Sequence, residues 1–415
     1  MKNVAFYFDK PGFEPLDYSS FFQGNPGMGG SEYEFLLVSQ LLRNRGVINT
    51  ILLSRTKFSP IVSYEYVENL DETCQYCLNH NIDILVVNPK LYDDISEAYK
   101  KRLDFVLWAH NDMPRLQMDK VSKDDAIKKV VFCGREFLEL YYDSIIMRKS
   151  TYIYNIFPFN KKEWYLNKIA DRNNHNVVYM GSITYQKGFH VLAKAWPEIL
   201  KKVPDAHLYV IGSGQLYDKT TSMGKYGIAK KDYEERFVKY LIDEKGNILS
   251  NVHFMGVLGK EKFDIIGKCK VGVPNPTGKS ECLPITTIEM QLMGCSMTTI
   301  KHPAYLDTIY NQHFLYKNIN QLSDYVVNRL LKPRDNYDEL YKFILDRFDI
   351  EKSLQRWEYM LSNINEITIE RYSTTAYHCK PLKAFLLRCK MVFPLFCMIP
   401  TVERIYSLVN RFKNR

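Results

Sequence analysis

Apolar residues along this chain fall in short runs separated by longer amphipathic stretches, and the alternation predicts the elements. Runs at Val4–Phe8, Thr50–Leu53, Ile82–Val87, Phe105–Ala109, Val130–Cys133 and Tyr152–Tyr154 have the length and continuous apolarity of strands buried on both faces. Between them the spacing is helical: Ser31, Glu34, Phe35, Leu36, Val38, Leu41 and Leu42 read as a capping box opening an amphipathic helix. A second helix is expected over Tyr66 to Leu78. After the polar stretch Asn160–Asn176 the pattern restarts. Val177–Met180, Leu208–Ile211, Val252–Met255, Val271–Val273 and Met297–Ile300 are the expected strands, and Phe189, Leu192, Trp196, Ile199, Leu200 and Val203 trace a helix up to Pro204. Two successive rounds of strand–helix alternation predict two α/β domains with parallel sheets. The expected division is 1–164 and 165–349, followed by a helix over 350–364 with Leu354, Trp357, Leu361 and Ile364 on one stripe.

Composition changes this picture little. At 415 residues the chain exceeds the size of a single core, and 46% hydrophobic with 25% charged residues is ordinary for globular domains. Met1-Lys2-Asn3 leads straight into Val4–Phe8, which reads as a first strand and not as a secretory signal; with nine scattered cysteines, the expectation is reduced thiols and the cytoplasm. Cys74 and Cys77 lack a second ligand pair at metal-binding spacing, so core packing is the expected role.

Charge is uneven. Residues 367–415 hold nine Lys and Arg against Glu370 and Glu403, a net +7 of the chain's +9. The body therefore offers no general nucleic-acid-binding surface, and no nucleic-acid partner is expected. In the tail, Phe385, Leu386, Met391, Val392, Phe393, Leu395 and Phe396 interleave with Lys383, Arg388 and Lys390, and Val402, Ile405, Leu408, Val409 and Phe412 form a second stripe. Its longest uncharged run, Met391–Val402, is too short to span a bilayer. The tail is expected to be a basic, amphipathic helical extension, with residues 376–415 lying on an anionic membrane surface or packing as a hairpin on the body.

The chemistry concentrates in loops at predicted strand ends. The stretch Pro276-Thr277-Gly278-Lys279-Ser280-Glu281-Cys282-Leu283-Pro284-Ile285-Thr286-Thr287-Ile288-Glu289 carries two carboxylates eight residues apart between buried strands. Pro284 suits the first turn of a helix, leaving the amides of Ile285 and Thr286 to face an anion at its start. Gly212-Ser213-Gly214 lacks the third glycine of a dinucleotide fingerprint, which disfavours an oxidoreductase.

Glu281 and Glu289 at this spacing resemble the Glu-x7-Glu signature of glycosyltransferase family 4, the "group 1" retaining enzymes of GT-B fold. Further segments resemble that family in order: Gly29-Gly30-Ser31-Glu32, Trp108-Ala109-His110-Asn111-Asp112, Gly181-Ser182-Ile183-Thr184-Tyr185-Gln186-Lys187-Gly188, Pro204–Gly214 and Val252–Val257. The resemblance spans roughly residues 1 to 364. It implies two Rossmann-like domains facing across a cleft, the first an acceptor domain completed by the 350–364 helix and the second a nucleotide-sugar donor domain.

Carried over by position, the resemblance assigns Lys187 to the donor diphosphate, Glu289 to the ribose hydroxyls, and Glu281 with Leu283, Pro284, Ile285 and Thr286 to the transferred sugar and its phosphates. Gly29 and Gly30 would approach the phosphates by backbone, His110 would stand beside sugar or acceptor, and Ser182 and Val257 complete the donor set; His110, Lys187 and Glu281 are the catalytic candidates. The implied partners are a nucleotide-diphosphate sugar and a saccharide or lipid-linked acceptor in surface-glycan synthesis. No cofactor and no metal is implied, and no Asp-x-Asp triplet occurs.

Two positions depart from the family: Ser182 stands where it has Arg, with Lys279 or another basic residue as a substitute cation, and Leu283-Pro284 replaces its Phe-Gly. The alternatives are a catalytically inactive GT-B binding or assembly protein at the membrane, and a nucleotide-sugar epimerase of the same fold.

Overall fold

The computed structural model describes residues 1–10, 21–22, 24–26, 28–58, 62–141, 144–169, 174–216, 220 and 222–366, and beyond these only 385–386, 389, 405 and 408–409. Two compact units result. One contains Ser31–Ile156, the first strand and the chain from Ile350; the other contains Phe157–Asp349 with Ser20–Gly30. The amphipathic tail expected over 376–415 lies outside the described residues apart from those six positions. Among the described residues no helix is long and apolar enough to cross a membrane.

The first unit is built on a parallel seven-stranded sheet. Its strands are β1 (Asn3–Phe8), β2 (Asn49–Ser54), β3 (Glu65–Tyr66), β4 (Ile84–Val87), β5 (Asp104–Ala109), β6 (Ile127–Phe132) and β7 (Ser150–Tyr152), in the order β3-β2-β1-β4-β5-β6-β7. β1 pairs on one side with β2, Val4 opposite Thr50, and on the other with β4, Val4 opposite Ile84, so the strand order reverses there. Reversal opens a crevice at the carboxyl ends of two neighbouring strands, the usual ligand position in such sheets.

An aromatic cluster anchors this unit. Trp108 of β5 packs against Phe6 of β1, Phe35 of the helix Gly30–Arg45 and Trp357 of the helix Ile350–Ser362, with ring centroids 6.3, 4.7 and 4.7 Å apart. Arg45 fixes the last helix from outside through Glu358 (2.6 Å) and Glu351 (2.5 Å).

Two local expectations fail. The helix expected over Tyr66 to Leu78 begins at Leu70: Asn69 caps it by accepting from the Glu72 amide, and Tyr66 is in β3. No capping box forms at Ser31 either. Glu34 is fully buried, and its Oε2 accepts from the Ile156 amide at 2.8 Å. Tertiary burial has overridden the local signal, and it pushes the Glu34 carboxyl well above the ordinary range.

The second unit repeats the plan with a parallel five-stranded sheet, ordered β10-β9-β8-β11-β12: β8 (Asn176–Met180), β9 (His207–Ile211), β10 (Val252–Gly256), β11 (Val271–Gly272) and β12 (Ser296–Met297). The run expected as one strand at 297–300 breaks at Thr298, and Thr299–Ile300 (β13) pairs instead with Leu315–Tyr316 (β14). Trp196, Phe189, Leu192 and Ile199 of the helix Phe189–Lys202 are fully buried over β8 and β9. Beyond the formal strand ends the backbones stay joined: Gly181 N–H donates to Ile211 O, Ile183 N–H to Ser213 O, and Gly212 N–H to Gly256 O. At Gly212 (φ +134°) a Cβ would lie 1.9 Å from Gly181 O, and at Gly214 it would lie 2.6 Å from Ala229 Cα. These two glycines therefore serve close backbone packing, not a dinucleotide.

Trp357→Ala is expected to cost about 3–5 kcal/mol, as for other buried aromatics. A lower urea midpoint for the full chain is the measurement; an unchanged midpoint would show that the helix adds little to the first unit.

Candidate functional site

In the second unit the order of strands reverses at β8, which lies between β9 and β11. The loops after β8 and β11 therefore leave neighbouring strands in the same direction and meet at the sheet's carboxyl edge. The first loop holds Ser182 and Lys187, and the second holds Glu281 and the start of the helix Ile285–Leu292. Lys187 Nζ donates to Glu281 Oε1 at 2.7 Å and lies 3.4 Å from Ser280 O.

Asn275 fixes that encounter. Buried to 4% exposure, it donates through Nδ2 to Gln186 O (3.1 Å), Lys279 O (2.8 Å) and Glu281 Oε1 (3.1 Å), while its Oδ1 accepts from the Thr277 amide and hydroxyl. From below, Tyr179 Oη of β8 donates to Ser182 O (3.2 Å) and Lys187 O (3.0 Å), tying the two ends of the first loop. Gly188 closes that loop at φ +68°, where a Cβ would meet Thr277 Cγ2 at 2.6 Å. Glycine is required there twice, for its dihedral and for its size.

Ser182 is 2% exposed, and its hydroxyl lies 3.5 Å from that of Thr184. It therefore contributes no charge where the resembling family has a cation. Pro284 sits one position earlier than expected, as the N-cap (φ −74°, ψ 105°), with no side-chain cap on the helix that follows. The amides of Ile285 and Thr286 thus begin the helix, and its dipole adds partial positive charge. Leu283 is buried beside them.

Glu289 faces inward at 3% exposure, with its Oε1 accepting from Lys262 Nζ at 2.6 Å. Lys262 opens the helix Lys262–Ile266, which follows β10, and Val257, directly after β10, is 49% exposed.

Asn275, Tyr179 and Lys262 escaped sequence reasoning. Asn275 and Tyr179 look like ordinary residues at strand ends, and nothing in one sequence separates Lys262 from surface lysines. Lys187 and Glu281 come together in the loop that leads into the helix Ile285–Leu292; Glu289 is paired separately with Lys262, and Val257 lies at the end of another strand.

In the first unit His110 follows β5 directly. Its ring packs on Trp108 (4.6 Å) and Phe35 (5.7 Å). Asn155 and the Trp108 backbone lie alongside, but neither ring nitrogen reaches hydrogen-bonding geometry with a described residue. Burial lowers its pKa to about 4, with Glu32 and Asn155 opposing the shift, so the imidazole is neutral near pH 7. Gly29 is buried just ahead of the helix Gly30–Arg45, and a Cβ at Gly30 would meet nothing within 4 Å. Cys74 and Cys77 are buried thiols, Cys74 pushed up to about 12 and Cys77 also raised by burial.

A cavity of about 670 Å³ opens at the opposite, amino-terminal edge of the second sheet, by Lys270, Gly294, Arg334 and Tyr337. None of the residues singled out from the sequence lines it.

Residues 174–332, which carry both loops, match the family described as "Glycosyl transferases group 1". The chain carries a group 1 glycosyltransferase domain. Solved structures extend the likeness to the GT-B fold of both units. Anabaena HepE, in complex with UDP, is similar over 87% of this chain and 100% of that one, with a TM-score of 0.62 at 14% identity. Sucrose-phosphate synthase from Thermosynechococcus elongatus is similar over 88% and 99%, with a TM-score of 0.63 at 13% identity. An uncharacterized glycosyltransferase of Haemophilus influenzae is 34% identical over 59 residues, which span 14% of this chain and 17% of that relative. The matched glycosyltransferase domain holds Ser182, Lys187, Val257, Glu281 and Glu289, whereas Gly29, Gly30 and His110 lie before it.

Two measurements check this geometry. Asn275→Ala should cost about 1–3 kcal/mol, the penalty for leaving buried partners unsatisfied, read by denaturant titration. The buried His110 cannot hold the proton that unfolding would let it take, so stability should fall as pH drops from 6.5 towards about 4. Histidine NMR should show this ring titrating near 4; a pKa near 6.5 would refute its burial.

Proposed function

We propose that this group 1 glycosyltransferase moves a sugar from a nucleotide-diphosphate donor to a saccharide or lipid-linked saccharide acceptor, with retention and without a metal. The observation that carries the reading is the contact of Lys187 with Glu281 at the strand reversal of the second unit, in the loop that leads into the helix Ile285–Leu292. When the bond from sugar to phosphate breaks, negative charge accumulates on the departing diphosphate. Fixed positive groups that are already oriented stabilise that charge without reorganising. Lys187 supplies a full charge and the amides of Ile285 and Thr286 supply partial ones, so the chain's own groups suffice for the diphosphate.

Glu281, held by Asn275 and Lys187, is then the carboxylate for the sugar hydroxyls, and Glu289 the one for the ribose. Lys262 keeps Glu289 oriented until the ribose arrives. Open space at Gly30 supports the reading that this glycine leaves room for phosphate oxygens. His110, neutral and with ring nitrogens unengaged, suits hydrogen bonding to a sugar or acceptor hydroxyl. A uridine diphosphate sugar is the first donor to test, since Anabaena HepE was solved with UDP and glucose.

The test incubates purified full-length protein with UDP-glucose and follows UDP release, with and without saccharide acceptors. Lys187→Ala and Glu281→Gln should each lower release by about 100-fold or more, the scale for a transition-state charge partner. Equal rates in wild type and both variants would reject the site. Epimerised donor formed without acceptor would favour the epimerase reading instead, and the anomeric configuration of the product by NMR decides retention.

A further inference from the structure

Beside the Lys187 loop stands a second group of cations that the proposed mechanism does not use. Tyr185, two residues before Lys187 and 45% exposed, stacks on His190 at 5.1 Å with 6° between the planes. Tyr233 braces the pair, its Oη 3.1 Å from the His190 amide and 3.0 Å from His190 Nδ1. Two cations reach the same tyrosine ring: Lys279 Nζ lies 5.2 Å from its centroid, and the Arg236 guanidinium carbon 5.5 Å. Both side chains are exposed, and neither is in an ion pair among the described residues. Together with burial, the same two charges hold the pKa of His190 down.

The backbone commits Lys279 to this position. It stands between Gly278 (φ +67°) and Ser280 (φ +56°), two left-handed residues in a row of three, and its carbonyl is held by Asn275. A left-handed serine is strained and persists only where its surroundings enforce it. The turn sends the Lys279 side chain to Tyr185 and the Ser280 carbonyl to Lys187. Like charges sharing one ring repel each other, and the ring's attraction for each is modest at an exposed site. A multiply charged oxyanion relieves that repulsion, and phosphate fits because Arg and Lys both bind it.

We propose that Lys279 and Arg236, carried on Tyr185, form a phosphate-binding platform beside the Lys187 loop, making up for the neutral Ser182. The inference rests on the donor-site reading above. The phosphate belongs either to the nucleoside diphosphate of the donor or to a phosphorylated acceptor.

Calorimetry on the full-length protein separates these sources, with UDP and uridine in one arm and decyl phosphate in the other. Lys279→Ala/Arg236→Ala should weaken UDP by about tenfold or more, equivalent to about 1.4 kcal/mol, and leave uridine unchanged. Lys279→Arg/Arg236→Lys should retain the affinity, and unchanged thermal unfolding of both variants excludes misfolding. Unaltered UDP affinity with lost decyl phosphate binding assigns the platform to an acceptor phosphate, which also supports it. No loss in either arm overturns the platform. Lys187→Ala serves as the independent control: if it leaves UDP affinity unchanged, the donor-site reading itself fails, whatever the platform variants do.

Discussion

The contact between Lys187 and Glu281 organises the second unit's site, because it joins by charge two loops that Asn275 and Thr277 also tie together through Gln186 O. Each leaves a different strand, and the strands are neighbours only because the order reverses at β8. A half-buried ion pair of this kind is costly to desolvate and adds little net stability. Its presence is better explained by placement: Tyr179, bonded to the Lys187 carbonyl, and Asn275, bonded to the Glu281 carboxylate, hold the two loops and their charges in one geometry. Such preorganisation costs folding energy that a purely structural loop would keep.

The first unit works by a different principle. Its functional candidate is an uncharged imidazole set on an aromatic floor, and the floor is made by four segments far apart in sequence. Phe6, Phe35, Trp108 and Trp357 come from the first strand, the first helix, the fifth strand and the last described helix. The return of Ile350–Ser362 to this unit is thus a packing requirement. The same floor desolvates His110, coupling its protonation state to the integrity of the core.

Much of this was legible in the sequence because strands buried on both faces leave uninterrupted apolar runs, and ten of the eleven expected runs coincide with single strands to within a few residues, the run at 297–300 being split between two sheets. The short strands β3 and β14 were not legible; at two residues each they carry no periodic signal. Glu34 misled because its spacing from Ser31 fits a cap, while the deciding contact, the Ile156 amide, is 122 residues away. Lys187 and Glu281 were singled out through their resemblance to a family's motifs, but the Asn275 that contacts both of their loops was not: an asparagine that satisfies several acceptors across two loops looks the same as one in any turn. Lys262 and Arg236 were hidden for the same reason, since a charge acquires a role only through what folding brings beside it.

The glycine at 212 bears on how such an enzyme could diversify. With a methyl group excluded there, and with the backbones after β8, β9 and β10 hydrogen-bonded to one another, three of the loops at the carboxyl edge form one rigid rim. Point changes in that rim alter the shape of the sheet before they alter what is recognised. Residues 273–284 are tied chiefly through side chains, so sequence change is accommodated there at least structural expense.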